Sequence, residues 1–482
     1  MSKRFVAAVA LICVFGFCFE HALAEDAGQA AKTALRLPKV IGSGMVLQRE
    51  MEVPIWGWAA PLQKVTVRLV PSEPGSPQAV KLTGSEQTAT ADANGKWMVK
   101  LPAMKAGGPH KMTITAAGKA ETIELTDILV GEVWVCSGQS NMEWAVSNSY
   151  HSKTEIPAAN YPQIRLFHVP KVAQAQPADD VNASWKACTP QTVPGFSAVG
   201  YFFGREIHKE LKVPVGLINA SWGGSAIQPW TPAEGYALVP AFVEGKIKNT
   251  GEPGMYNGMI HPLIPFAVRG ALWYQGESNM GGAPTYCERM KALILGWRKV
   301  WGQGEFPFYF VQLAPFAGHR GDLLPIMWEQ QTETLGVPNT GMAVITDLVD
   351  NVHDIHPKNK VDVGKRLALW AMAKTYGRKD LVYSGPLYKS MSVRGNKIII
   401  SFDHVGGGLV SRDGKPLTWF TIAGKDRTFV EAKAEIVGNT VEVSSDKVGE
   451  PAAVRFGWGN IPLPNLMNKE GLPASPFRTD RW

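Results

Sequence analysis

The pattern of apolar and polar positions divides the chain into three parts. Between 35 and 126, apolar and polar residues alternate in short runs separated by Pro, Gly and Ser, which is typical of a small β-sandwich. From 127 to 379, short apolar runs alternate with segments of helical periodicity, and strict alternation returns from 383 to 482. The sequence therefore predicts an α/β domain with a parallel sheet between helices, flanked by two β-rich modules.

The central part contains the clearest helix and strand signals. Ser197 is a suitable N-cap for a helix whose apolar residues, from Val199 to Leu211, recur about every 3.6 positions. Further helices are expected at 287–301, at 325–335, and from near Lys358 past Trp370. Buried strands are expected at 214–220, 268–274, 306–313 and 341–346.

The first residues have the pattern of a secretory signal peptide. Lys3 and Arg4 precede the apolar run 5–19, and Ala22-Leu-Ala24 is a small-x-small cleavage site. We therefore expect residues 1–24 to be removed near Ala24 and the mature protein to be exported, to the periplasm or the extracellular space. No later segment approaches the roughly 20 apolar residues of a transmembrane helix, so no membrane span is expected.

Charge and cysteine content narrow the classes of partner and cofactor. The formal net charge of +7 is spread along the chain without a basic block, which gives no support to nucleic-acid binding. Cys136, Cys188 and Cys287 remain after signal removal, and three cysteines can form at most one disulfide. No cysteine or histidine spacing is typical of a structural zinc site. The sequence does not indicate an oligomeric state.

The segment 128–144, ILVGEVWVCSGQSNMEW, combines a buried strand with a polar turn. Its apolar and β-branched first half is typical of a central strand. Its second half, residues 137–141 (SGQSN), is small and polar, with a glycine just before the turn. In α/β folds the carboxyl edge of the sheet carries the chemistry. Ser140 is therefore the candidate nucleophile, although its turn lacks the second glycine of the GxSxG pattern.

Three further strand ends carry polar or glycine-rich turns: 222–225 (WGGS), 275–279 (QGESN) and 347–356 (DLVDNVHDIH). Acyl transfer needs a nucleophile, a base, a group that orients the base, and donors for the oxyanion. His356 is the candidate base, and Asp354 would orient its imidazole. The backbone N–H groups of Ser140 and of Gly223 or Gly224, with a side-chain amide, would hold the oxyanion.

Several stretches together resemble the sialate O-acetylesterase family of the SGNH hydrolase superfamily. They are MVLQR (45–49), VGEVWVCSGQSNMEW (130–144), SWGGSAIQPW (221–230), YNGMIHPL (256–263), ALWYQGESN (271–279), DIHPKNKVDVGKRLA (354–368) and GLPASPFRTD (471–480). The resemblance implies a flavodoxin-like, three-layer α/β/α catalytic domain. It also implies a serine esterase without a cofactor or metal that removes acetyl groups from sialic acids or from other glycans.

The resemblance also implies roles at individual positions. Ser140, Gly223 or its neighbour Gly224, and His356 match the nucleophile, the oxyanion glycine and the base. The superfamily's third block usually has an asparagine, and here Gln275 takes its place as the expected amide donor, with Asn279 as a weaker candidate. The superfamily spacing Asp-x-x-His is not met by Asp354 and His356. Asp350 and His353 have that spacing and form an alternative pair.

Other interpretations remain open from the sequence. The acidic and histidine residues of 347–356 could bind a divalent metal, which would make the protein a metal-dependent hydrolase. A non-catalytic protein could bind carbohydrate through the β modules. For the esterase, acetylated sialic acid is the expected substrate, and acetylated xylan or xyloglucan is the alternative. His261 precedes a proline in an apolar stretch and is expected to be a core residue.

Overall fold

The computed structural model describes residues 34–72, 86–118 and 121–482. The described chain forms two compact units, one that contains the residues up to Met45 and Arg49–Val130, and one that contains Val46–Gln48 and Gly131–Trp482. The predicted signal peptide lies outside the described residues. The three predicted domain boundaries stay a prediction.

The first unit contains two antiparallel sheets. One pairs Val53–Trp58 with Lys96–Leu101. In the other, Lys64–Pro71 lies between Glu86–Thr90 and Gly107–Ala116, and the last of these pairs with residues 121–130. Buried and exposed residues alternate along Lys64–Pro71 and Lys96–Leu101, so that one side chain in two enters the core.

The central sheet of the second unit carries the candidate chemistry. Its strands follow the order Thr340–Ala343, Phe308–Val311, Gly270–Tyr274, Glu121–Gly138, Val215–Ser221, Tyr161–His168 and Trp185–Cys188. Neighbouring strands are parallel, except that Trp185–Cys188 runs antiparallel at the edge. The expected parallel sheet is thus correct for the centre, and wrong for this edge strand.

Helices cover both faces of this sheet. A side chain at Gly200, in the helix Ala198–Leu211, would meet the sulfur of Cys136, so this helix packs on the Cys136 face. Leu272 is the parallel partner of Cys136, and the next residue, Trp273, therefore points to the opposite face. Trp273 contacts Trp297 of the helix Tyr286–Trp301 there. This arrangement confirms the predicted three-layer α/β/α fold.

The helices agree closely with the periodicity of the sequence. The Ser197 hydroxyl accepts a hydrogen bond from the Gly200 N–H at 3.1 Å, as the capping prediction requires. The α-helices lie at Ser140–Glu143, Ser152–Ala158, Ala198–Leu211, Ala233–Tyr236, Pro240–Val243, Tyr286–Trp301, Leu323–Glu333 and Lys360–Trp370. Short 3₁₀ segments include Gln228–Trp230, His261–Leu263 and Glu277–Thr285, and single π-helical turns occupy Tyr256–Ile260 and Ala371–Thr375.

The C-terminal part of the second unit consists of antiparallel sheets around an apolar core of its own. A four-stranded sheet contains Leu387–Arg394, Lys397–Asp403, Thr440–Ser444 and Lys433–Val437, and a second contains Val430–Glu431, Phe420–Gly424, Pro451–Phe456 and Phe477–Arg478. A two-stranded sheet pairs Leu409–Ser411 with Leu466–Asn468. The expected C-terminal β structure is therefore present.

The structure can be compared with the expectations about membrane spans and cysteines. Within 34–72, 86–118 and 121–482, no helix has the length and apolar character needed to cross a membrane. Cys136, Cys188 and Cys287 are buried free thiols. Burial raises the pKa of each thiol, so all three are protonated at neutral pH.

Candidate active site

Ser140 lies at the carboxyl edge of the sheet, where the strand Glu121–Gly138 ends. Gly138 has φ of +138°, and a Cβ there would lie 2.2 Å from the carbonyl oxygen of Tyr274 on the neighbouring strand. Only glycine fits both the backbone conformation and the close approach. The chain then turns into the short helix Ser140–Glu143, and Ser140 is partly exposed at its first position.

His356 reaches this serine from a loop that follows the strand Thr340–Ala343. Its Nε2 atom lies 2.9 Å from the Ser140 Oγ atom, a hydrogen-bond distance across 216 positions of sequence. The indole of Trp144 stacks on the imidazole with ring centroids 4.9 Å apart and planes inclined by 18°. The predicted nucleophile and base are therefore in direct contact.

Asp354 lies on the other side of the imidazole. Its Oδ1 atom is 3.6 Å from His356 Nδ1, an ion-pair distance that exceeds hydrogen-bond length. The same oxygen accepts the backbone N–H of His356 at 2.9 Å and so holds the loop. The alternative pair is placed differently: Asp350 and His353 are both exposed, and Asp350 raises the pKa of the Tyr150 hydroxyl.

The surroundings of His356 favour its neutral form. Burial lowers the pKa of the imidazole, and the positive charge of Lys360 lowers it further, while Asp354 acts in the opposite direction. A base must be unprotonated to accept a proton from serine. The site therefore keeps His356 ready to act as a base at neutral pH.

Gly223 is the predicted oxyanion residue closest to Ser140. A Cβ on Gly223 would lie 3.4 Å from the Ser140 Cβ, whereas Gly224 is exposed and its Cβ position is open. The Gly223 N–H donates to the carboxylate of Glu143 at 2.5 Å. Glu143 also forms an ion pair with Lys171. In this state a carboxylate oxygen occupies the donor that an oxyanion would use.

The side chains of Gln275 and Asn279 are buried in a network of amides. The Gln275 amide donates to the side-chain oxygens of Gln139 at 3.0 Å and Asn279 at 2.7 Å, and to the Ser225 carbonyl at 3.1 Å. The Asn279 amide donates to Gln228 at 2.9 Å. These acceptors hold the turns at 139, 225 and 275 together. The oxyanion roles of Gln275 and Asn279 stay predictions.

Sequence reasoning missed a polar cluster next to Ser140. Asn141 donates to Glu277 at 2.6 Å and to the carbonyl of Ile355 at 3.1 Å, and it accepts from Lys360 at 2.5 Å. Lys360 is wholly buried. Asn141 lies in the polar turn that also contains Ser140, and both Asn141 and Lys360 belong to the stretches that carried the family resemblance, but neither signal assigned them a role.

The metal-binding alternative finds no support in these side chains. Among the described residues, no group of three or more His, Cys, Asp or Glu side chains is placed to hold a metal ion. Asp347, one of the candidate ligands, is paired with Arg366 through two hydrogen bonds of 2.6 and 2.7 Å. His261, expected in the core, is half-buried and bonds the Ala178 carbonyl at 2.8 Å.

Comparison with known proteins decides the family. The model of the family described as "Carbohydrate esterase, sialic acid-specific acetylesterase" matches residues 130–373, half of the chain and all of the site. The chain belongs to this family. The predicted resemblance is thereby confirmed, and so are the enzyme class of carboxylic ester hydrolase and the general function of a carbohydrate O-acetylesterase.

Relatives of this family cover nearly the whole chain. The sialate O-acetylesterase of Homo sapiens is 31% identical over 94% of each chain, and that of Mus musculus is 30% identical over 93% of this chain and 95% of its own. The crystal structure of a carbohydrate acetylesterase from Xanthomonas citri is 42% identical, with a TM-score of 0.84 over 93% of this chain and all of that chain. The similarity therefore includes the β-rich parts as well as the catalytic domain.

Proposed function

We propose that the protein is a serine-dependent carbohydrate O-acetylesterase in which Ser140 is the nucleophile and His356 the general base. The observation that supports this most directly is the contact of 2.9 Å between His356 Nε2 and Ser140 Oγ. A serine hydroxyl becomes an effective nucleophile when a neighbouring base removes its proton. Asp354 orients His356 and stabilises the imidazolium that forms.

The reaction proceeds in two halves. Ser140 Oγ attacks the acetyl carbonyl carbon while its proton passes to His356 Nε2, and a tetrahedral intermediate forms. The bond between the carbonyl carbon and the sugar oxygen then breaks, and His356 returns the proton to that oxygen. In the second half, water attacks the acetyl carbonyl carbon while its proton passes to His356. The bond to Ser140 Oγ then breaks, His356 returns the proton to Oγ, and acetate leaves.

The oxyanion is assigned to the N–H groups of Ser140 and Gly223. The Ser140 N–H is at the first position of a helix and has no acceptor within that helix. The Gly223 N–H is bonded to Glu143, so this carboxylate must move aside when the acetyl group binds. One oxyanion donor typically contributes about 10²–10³ in turnover.

Acetylated sialic acid is the substrate that we propose first, because the human and mouse relatives are named sialate O-acetylesterases. One observation favours a second candidate. The Xanthomonas citri protein has a higher identity, 42%, and is described more broadly as a carbohydrate acetylesterase. We therefore keep acetylated hemicellulose, such as xylan or xyloglucan, as the alternative substrate.

Acetate release from a panel of sugars separates these substrates. The purified protein is incubated with O-acetylated sialic acids and with acetylated xylan and xyloglucan fragments, each with its deacetylated form as the control. We expect acetate from at least one class, and we expect a chelator to leave the rate unchanged. Release from none of them by folded protein would contradict the esterase and favour a glycan-binding protein.

We also propose that the protein is exported. The support lies in the first residues, where Lys3 and Arg4 precede an apolar run and Ala22-Leu-Ala24 forms a cleavage site. Periplasmic or extracellular placement would bring the enzyme to acetylated glycans outside the cytoplasm. N-terminal sequencing of the protein from the host's extracytoplasmic fraction should begin near Glu25.

A further inference from the structure

A lysine and a glutamate that both contact one asparagine amide lie next to the catalytic residues and have no role in the steps above. Lys360 and Glu277 are joined through Asn141, which accepts from the lysine at 2.5 Å and donates to the carboxylate at 2.6 Å. The second oxygen of Glu277 is buried and has no hydrogen-bond partner. We call Lys360, Asn141 and Glu277 the buried relay.

Burial of the Lys360 side chain costs free energy. The residue has no exposed surface, and burial of an ammonium group is unfavourable unless it is paired. Its Nζ atom lies 5.1 Å from the centre of the Tyr274 ring and 5.9 Å from that of Trp144. Trp144 in turn stacks on His356, so the same indole contacts both the cation and the base.

Asn141 connects this cation to both catalytic residues. It follows Ser140 in the chain, and its amide donates to the carbonyl of Ile355, the residue before His356, at 3.1 Å. A shift of Asn141 would therefore move Ser140 and His356 relative to each other. Displacements of about 1 Å from a productive arrangement can cost about 10² in rate.

We propose that the buried relay is a positioning unit, which aligns His356 with Ser140 through Asn141 and supplies, through Lys360, a positive charge that keeps His356 neutral. Lys360, Asn141 and Glu277 are thus positioning residues and do not touch the substrate. This inference rests on the proposed roles of Ser140 and His356. A structural role alone would require the same contacts and would leave the protonation of His356 unchanged.

The charges around the two groups give the sign of the effect. The charges of Lys360 and Asp354 act on His356, while those of Glu277, Asp354 and Asp350 act on Lys360. Burial lowers the pKa of Lys360 to about 7, against the opposing effect of Glu277. Lys360 is therefore charged at the acidic pH values where His356 takes up a proton, and it opposes that uptake. Without this charge, His356 should protonate at higher pH.

The test compares Lys360→Met with wild type by the pH dependence of two reactions. One is kcat/KM for an aryl acetate, and the other is inactivation by a fluorophosphonate, which forms a bond from Ser140 Oγ to phosphorus and releases fluoride. In both reactions, the rate rises with pH as His356 loses its proton. We expect this acidic limb of the pH profile to lie at higher pH in Lys360→Met than in wild type. Lys360→Arg, which keeps the charge, should retain the wild-type limb.

Lys358→Met is the matched control. Lys358 is closer to His356 in sequence than Lys360 is, but it is exposed, so solvent and salt screen its charge. Loss of this charge should therefore leave the acidic limbs of both pH profiles in place. If folded Lys360→Met has the wild-type limb in both reactions, the proposed role of the charge is wrong. If the wild-type protein is not labelled at Ser140 at all, the proposed function fails instead, and the two failures remain distinguishable.

Asn141→Ala provides a second variant that tests the positioning role without removing the buried lysine. It removes the link to Ile355 and should reduce kcat by about 10- to 100-fold with little change in KM. A thermal unfolding curve shows whether the variant is folded. Wild-type kcat in folded Asn141→Ala would overturn the positioning role.

Discussion

Asp354 lies next to the imidazole of His356 but beyond hydrogen-bond distance of its second ring nitrogen. The imidazole is held by Ser140 on one side and by Trp144 on its face, while Asp354 lies 3.6 Å from the second ring nitrogen. This separation is longer than a hydrogen bond, and the carboxylate is partly exposed, so its attraction is reduced by solvent. We therefore expect Asp354 to contribute less to the rate of the reaction than a fully buried triad acid would.

A comparison of Asp354→Ala with Asp350→Ala tests this assignment. Because Asp354 raises the pKa of His356, its removal should shift the acidic limb of kcat/KM to lower pH. It should also lower kcat by roughly 10- to 100-fold, below the range of about 10²–10⁴ for general acid–base catalysis as a whole.

Asp350→Ala serves as the control for that measurement. Asp350 is exposed, and its loss should change kcat by less than about twofold, like other exposed substitutions. A larger loss in Asp350→Ala than in Asp354→Ala would transfer the orienting role to Asp350.

The residues of the site differ in how well the sequence could reveal them. Ser140 and His356 were recognisable because each occupies a polar turn at a strand end, and the sheet brings such turns together. Asn141 lies in the same turn as Ser140 but its contacts were not predicted, and Glu143 and Lys360 carry no such signal, since charged residues are usually solvent-exposed. Their roles depend on contacts across as many as 219 positions, which no local pattern encodes.

The strand Glu121–Gly138 and its turn are the elements on which the site depends most. Gly138 combines φ of +138° with a Cβ position 2.2 Å from the Tyr274 carbonyl, and the turn after it presents Ser140. The Gln139 side chain also accepts from Gln275, which ties this turn to the next strand end. The turn is therefore held by backbone shape and by amide contacts at once.

Gly138→Ala should damage both stability and activity. The added methyl would force the strand away from Tyr274 and requires an unfavourable backbone conformation, at a cost of about 1–3 kcal/mol for the strain alone. We expect a lower unfolding midpoint and a loss of kcat that exceeds the loss expected from stability.

Gly224→Ala is a suitable comparison for this prediction. Its φ of +75° is also positive but lies close to the left-handed region, where the strain is smaller, and its Cβ position is open. Thermal unfolding and aryl acetate turnover are measured on both variants. Equal effects at the two positions would contradict the importance of the close contact at Gly138.

The helices and parallel strands were predictable because their periodicity is local. The helix Ala198–Leu211 begins next to its predicted cap, and Val215–Ser221 is within one residue of the expected strand. The strands Tyr161–His168 and Trp185–Cys188 were not identified. The first alternates exposed and buried residues only in part, and the second has four residues, too few for a clear period.

The second unit as a whole joins the catalytic sheet to the C-terminal β structure. Ser475 accepts a hydrogen bond of 2.9 Å from the wholly buried Gln312, which follows the strand Phe308–Val311. Arg478 forms two hydrogen bonds, of 3.0 and 2.8 Å, with Glu329 on a neighbouring helix. The sequence showed that β strands were present here but could not show these contacts, because pairing between distant segments has no local signature.

In the proposed mechanism, a single serine, Ser140, carries the esterase activity of the whole molecule. Every other assignment depends on it, including the base, the oxyanion donors and the buried relay. The turnover of an aryl acetate by Ser140→Ala, measured beside wild type and Ser147→Ala, tests it most directly. Ser147 is an exposed serine a short distance after Ser140 in the chain and serves as the matched control.

We predict that Ser140→Ala loses turnover by about 10⁴-fold or more while its unfolding curve stays close to wild type. Ser147→Ala should keep the wild-type rate. Near-wild-type turnover by folded Ser140→Ala would show that Ser140 is not the nucleophile.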